Sequence, residues 1–150
     1  MSIFFEPENI SIEALNKHCE NTMSHWIGIE LSELGADFLT ARMPIDHRTI
    51  QPTGVVNGGA FCTLAEFVGS VAATLCLNRE KYIALGLDIN ANYIKNAKAG
   101  YVYAVAKPFH IGKTTHVWEI KINDDSGNLC CISRLTMAII PLPADGSKSN

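Results

Sequence analysis

Between Pro52 and Asn78 the sequence carries a single charge, Glu66, among apolar, small and uncharged polar residues. A carboxylate left unpaired in such surroundings is costly, so an acid kept there is a candidate for chemistry, as general base or as nucleophile. Ser70 follows four residues later; on a helix its hydroxyl shares a face with the acid and could help hold a water or an acyl oxygen. Gly58-Gly59 opens the same run. A backbone N–H at a helix start lacks an intrahelical acceptor and sits at the positive end of the helix dipole, which suits a developing oxyanion. Gly58 and Glu66 are eight residues apart, about 12 Å along one helix. One carbonyl carbon cannot touch both. A two-fold dimer with neighbouring helices antiparallel would bring Gly58 of one protomer beside Glu66 of its partner, and catalysis would then require the dimer.

These groups need a helix over 58–77, and the run from Gly58 to Leu77 has no proline, is rich in helix formers and carries large apolar side chains on several faces, the pattern of a buried helix. Its length would also suit a membrane span. Against that stand an acid near its middle, a position costing about 2.5–3.5 kcal/mol for Asp, the diluting glycines and alanines, and strand-like sequence on both flanks. Upstream, Asn9 or Ser11 can cap a helix over about 11–20, alternation from Ile27 to Leu34 predicts a half-buried strand, and 38–45 predicts a second, ending in a loop over 46–52. Downstream, strands are expected over 82–93, 101–109, 115–122 and 129–140, the last stopped by Pro141. One long helix against an antiparallel sheet that curls around it is an α+β arrangement.

At 150 residues the chain is read as one domain over 1–143 with a polar C-terminal tail over 144–150. A net charge of −3 gives no basic footprint for nucleic acid. Five cysteines in an odd count without metal spacing fit reduced thiols in a cytoplasm, and the N-terminus does not read as a secretion signal. His18, His25, His47 and His116 show no metal-ligand spacing and read as surface or structural residues. The Gly-x-Ser-x-Gly of serine hydrolases is absent.

The segment His47 to Gly59, followed by Leu64-Ala65-Glu66 and Gly69-Ser70, resembles the catalytic motif of hotdog-fold acyl-CoA thioesterases, within them the phenylacetate-type branch and the 1,4-dihydroxy-2-naphthoyl-CoA hydrolases of menaquinone synthesis. The resemblance extends through Gly86–Asn92, Lys107–Gly112 and Leu129–Leu135, and so spans most of the chain. It implies a hotdog fold, an acyl-CoA substrate with CoA as part of that substrate and no separate cofactor, and pairing of dimers into a homotetramer. By the same resemblance Glu66 is the catalytic carboxylate, Gly58 N–H meets the thioester oxygen, Gln51 positions the thioester and Ser70 orients water or acyl group. Gly86, Tyr93, Lys95, His110, Gly112, Lys113 and Thr114 fall near the CoA moiety. Two departures stand out: Asn57 replaces a histidine common in relatives, and Tyr93 with Lys95-Asn96 replaces a common His and Arg-Pro. An amide cannot carry a proton near neutral pH, so Asn57 implies a slower or differently tuned reaction. Acyl-thioester hydration or dehydration, which needs a proton-shuttling histidine, and a non-catalytic acyl-CoA-binding module are the competing readings.

Overall fold

Alternation of buried with partly exposed residues builds the middle of the sheet in the computed structural model, which describes residues 1–143. The elements in chain order are α1 (Ile12–His18), α2 (Met23–Trp26), β1 (Glu30–Leu34), β2 (Leu39–Pro44), α3 (Gly58–Leu75), β3 (Tyr82–Tyr93), β4 (Tyr101–Ile111), β5 (Thr115–Asp124) and β6 (Leu129–Pro141). The six strands form one antiparallel sheet in the order β1-β2-β4-β5-β6-β3. Inward-facing Leu39, Ala41 and Met43 of β2, Val102, Ala104 and Ala106 of β4, Trp118, Ile120 and Ile122 of β5, and Leu135 and Met137 of β6 make one core with Leu64, Ala65, Val68 and Ala72 of α3. The sheet thus curls around a single long helix, the α+β hotdog arrangement expected. Burying each large aliphatic side chain there contributes about 1.5–3 kcal/mol. Close approach requires Gly69, where a Cβ would lie 2.6 Å from Leu135 Cδ2.

By length and composition α3 could cross a membrane, yet it packs along the concave face of this sheet. Its burial is one-sided. Leu64, Ala65, Val68 and Ala72 are sealed, whereas Cys62, Thr63, Glu66, Phe67, Ser70 and Val71 are only half-buried, so the side bearing the acid is open.

Some boundaries differ from those the pattern predicts. Helix α1 is shorter than 11–20, with Ser11 as its cap accepting from Ala14 N–H. The strand expected from Ile27 starts only at Glu30, because Met23–Trp26 forms a short helix and Gly28 turns left-handed at φ 79°. A Cβ on Gly28 would lie 2.8 Å from Pro44 Cγ, so the chain there is wedged against the end of β2 rather than extended. Strand β4 continues past Phe109 to Ile111 through a register shift between Pro108 and His110. The tail over 144–150 lies outside the described residues.

Candidate active site

The loop between β2 and α3 is fastened before the helix begins. Buried Thr49 donates from Oγ1 to the Pro44 carbonyl at 2.7 Å, and its own carbonyl accepts from Asn57 N–H at 2.8 Å. Asp46 and Arg48 pair at 2.7 Å, and the guanidinium holds the Asp46 carboxyl down at about 2. Asn57 then caps α3: its Oδ1 accepts from Gly59 N–H at 2.7 Å, and its carbonyl accepts from the N–H groups of Ala60 and Phe61. Of the four N–H groups in the first turn, only that of Gly58 has no acceptor among the described residues. Sequence reasoning read Asn57 only as a missing histidine. Asparagine before a helix start is itself a capping signal, and it was there to be used.

Two turns along, Ser70 Oγ donates to Glu66 Oε1 at 3.3 Å and lies 3.7 Å from Met137 Sδ. Gly86 on β3 presses on the same carboxylate, since a Cβ there would sit 2.7 Å from Glu66 Oε1. The acid lines an open, largely apolar groove of about 490 Å3 with Cys62, Phe67, Ser70 and Val71 of α3, Ile89 of β3 and Met23 of α2. Helix α2 was not expected from the sequence, and neither was its share of this wall.

The remaining expected residues divide between two ends of the sheet. Tyr93 donates from its hydroxyl to the Gly58 carbonyl at 3.1 Å and shares a 3.3 Å hydrogen bond with Cys62 Sγ, which with partial burial pushes the phenol up to about 12. Lys95 is exposed just beyond it, its N–H on the Cys130 carbonyl. His110 lies near the end of β4, and Gly112, Lys113 and Thr114 form the β4–β5 turn, where Gly112 N–H donates to the Thr115 carbonyl and the Thr114 carbonyl accepts from Ile139 N–H. Tyr93 is in register with Cys131 of β6 and Thr115 with Ala138, a separation of about 23 Å along that strand. Gly86, opposite Met137, belongs with the turn and with Glu66. The chain therefore gathers Gly58, Tyr93 and Lys95 at one end and Glu66, Ser70, Gly86 and the β4–β5 turn towards the other. The Gln51 side chain is turned to Thr53 Oγ1 at 2.9 Å, and none of its hydrogen bonds reaches Glu66. Of the four other histidines only His116 is buried; burial chiefly, then the charge of His110, pushes its pKa down, against a nearby Gly112 carbonyl.

The profile of the Thioesterase superfamily matches residues 53–131, a span that includes the capped turn, the acid and its serine. The chain belongs to that superfamily. It is 47% identical over 131 residues to the 1,4-dihydroxy-2-naphthoyl-CoA hydrolase of Escherichia coli, covering 87% of this chain and 96% of that one. It is 40% identical over 132 residues to the proofreading thioesterase EntH of Cronobacter turicensis, covering 88% and 96%. The crystal structure of a thioesterase from Haemophilus influenzae superposes with a TM-score of 0.88 at 44% identity, over 91% of this chain and 95% of that one. As a superfamily member with relatives of these kinds, the protein is a thioester hydrolase.

Proposed function

We propose that the protein hydrolyses an aryl- or medium-chain acyl-CoA to the free acid and CoA, with 1,4-dihydroxy-2-naphthoyl-CoA the first substrate to test, at a site shared across a two-fold axis. The observation that carries this reading is the pairing of one unsatisfied first-turn N–H, Gly58, with one serine-supported carboxylate, Glu66, on the open side of the same helix. At 1.5 Å per residue the two remain about 12 Å apart in a protomer, so the second copy must supply one of them. Strand β3 supports the same geometry. Among the described residues it is an edge strand paired only with β6, most of its residues are exposed, and Ile83, Leu85 and Leu87 among them are apolar. A long apolar edge left open is an invitation to pair, and β3 against β3 would extend the sheet through both copies. Such a two-fold also carries Tyr93 and Lys95 of one protomer towards the β4–β5 turn of the other, reuniting the residues assigned to CoA. A further pairing to a tetramer is an expectation that sedimentation would test.

In the reaction the thioester carbonyl oxygen takes the Gly58 N–H, whose bond strengthens as negative charge develops. Glu66 either attacks the carbonyl carbon or takes a proton from an attacking water, and Ser70 orients its carboxylate. The tetrahedral species collapses with loss of the CoA thiolate, giving the free acid directly in the water route and, in the nucleophilic route, a mixed anhydride with Glu66 that a water then hydrolyses. Single-turnover hydrolysis in 18O-water distinguishes the two roles, because only the nucleophilic route leaves 16O from the enzyme in the first product. The primary test is Glu66→Ala in a thiol-release assay over a panel of aryl, branched and straight-chain CoA esters. Turnover should be abolished, and undiminished turnover rejects the assignment. A strong preference for carrier-protein thioesters in that panel would favour a proofreading role, the activity for which the relative from Cronobacter is named.

A further inference from the structure

The first turn of α3 begins with two glycines, which contribute no side-chain packing and have the most backbone freedom to lose. Three side chains hold it. Asn57 Oδ1 accepts from Gly59 N–H at 2.7 Å, Thr63 Oγ1 donates to the Gly59 carbonyl at 2.9 Å, and Tyr93 donates to the Gly58 carbonyl at 3.1 Å. The first two come from the helix and its cap. Tyr93 comes from the end of β3, 35 residues away in sequence, so it ties the turn to the sheet. Its ring also fills the place of a side chain at position 58, where a Cβ would lie 3.0 Å from Cζ and 3.1 Å from the hydroxyl oxygen. Phe61 supports the ring at 6.1 Å between centroids, and Cys62 Sγ takes up the other side of the hydroxyl at 3.3 Å. With its pKa up at about 12, the phenol keeps its proton throughout the neutral range.

We propose that Tyr93 is a positioning residue that clasps the Gly58-Gly59 turn and so fixes the direction of the Gly58 N–H before substrate arrives. A donor already aimed needs no reorganisation in the transition state, so the clasp acts on kcat rather than on affinity. This rests on the oxyanion role of Gly58 in the proposed function, and it gives Tyr93 a task different from the CoA contact that the family resemblance implies.

The test is Tyr93→Phe, which keeps the ring and removes the hydroxyl, assayed on the full chain with an acyl-CoA that the parent turns over. The expected result is a fall in kcat of about tenfold with KM within about twofold of the parent, at unchanged circular dichroism and oligomeric state. Gly58→Ala gives a second handle. It keeps the N–H but drives a methyl into the ring of Tyr93, so the double variant should be no slower than Gly58→Ala alone. A kcat within twofold of the parent, a KM rise at constant kcat, or losses that multiply in the double variant would each overturn the clasp. If Glu66→Ala is inactive while Tyr93→Phe is normal, the clasp fails and the thioesterase site stands. If the parent hydrolyses no acyl-CoA, both fail.

Discussion

Replacing Gly86 by alanine tests whether β3 sets the position of the acid. A methyl at residue 86 would be placed 2.7 Å from Glu66 Oε1 and 3.7 Å from its Cδ. Carbon and oxygen settle no closer than about 3.3 Å, so the carboxylate must retreat by about 0.6 Å, stretching a Ser70 contact that already stands at 3.3 Å. Displacement of a reacting group by about 1 Å can cost about a hundredfold in rate, so roughly tenfold is expected here, or about 1.4 kcal/mol of barrier. Stability should not fall in parallel. Gly86 is exposed in a strand, and alanine there regains about 0.5–1 kcal/mol of backbone entropy. Steady-state kinetics on a CoA ester together with a urea titration separate the two effects. A KM increase at constant kcat would refute the argument and return Gly86 to the CoA end; a loss of stability matching the loss of rate would show that the strand, not the acid, had been disturbed.

Two other substitutions probe neighbouring features. Asn57→His removes the oxygen that caps Gly59 N–H at 2.7 Å, so it should cost about 1 kcal/mol by chemical denaturation while hydrolysis is retained or raised; unchanged stability or a collapsed rate would contradict the reading of Asn57. His116 is buried with its pKa pushed below the ordinary 6.5, so the folded state binds fewer protons than the unfolded one, and its contribution to stability is complete above about 6.5 and lost as pH falls through the lower folded value. The urea midpoint should therefore drop between pH 7 and 5, and His116→Asn should flatten that slope; an identical slope in the variant would exclude His116 as its source.

The long helix and the paired strands were legible because their patterns report burial directly: Leu39, Ala41 and Met43 face inward and their neighbours do not. Glu66 and Ser70 were legible because four residues on a helix fix a shared face. What stayed hidden depended on contacts between distant segments or on too few residues to show a period. Four residues from Met23 to Trp26 span barely one turn, and the apparent alternation of Ile27 and Ile29 concealed the left-handed Gly28 between them. Along β3 the period-two rule loses its force, because apolar Ile83, Leu85 and Leu87 lie exposed on this edge strand while Ala84 and Ile89 are only half-buried against the core. The clasp of Tyr93 on Gly58 and the contact of Gly86 with Glu66 join residues 35 and 20 positions apart, and no local pattern encodes either. Resemblance alone grouped Tyr93 and Lys95 with the β4–β5 turn, whereas the strand register sets them about 23 Å apart within one chain.

The strand order places β3 outside β6, although β4 and β5 lie between the two in sequence. During translation, then, the segment that carries Gly86 and Tyr93 leaves the ribosome some forty residues ahead of β6, its sheet partner among the described residues. Assembly of the site accordingly waits on β6: a message cut short before Leu129 would yield a polypeptide with the acid and the glycine turn both present, but with the strand that brings Gly86 and Tyr93 against them left without its partner.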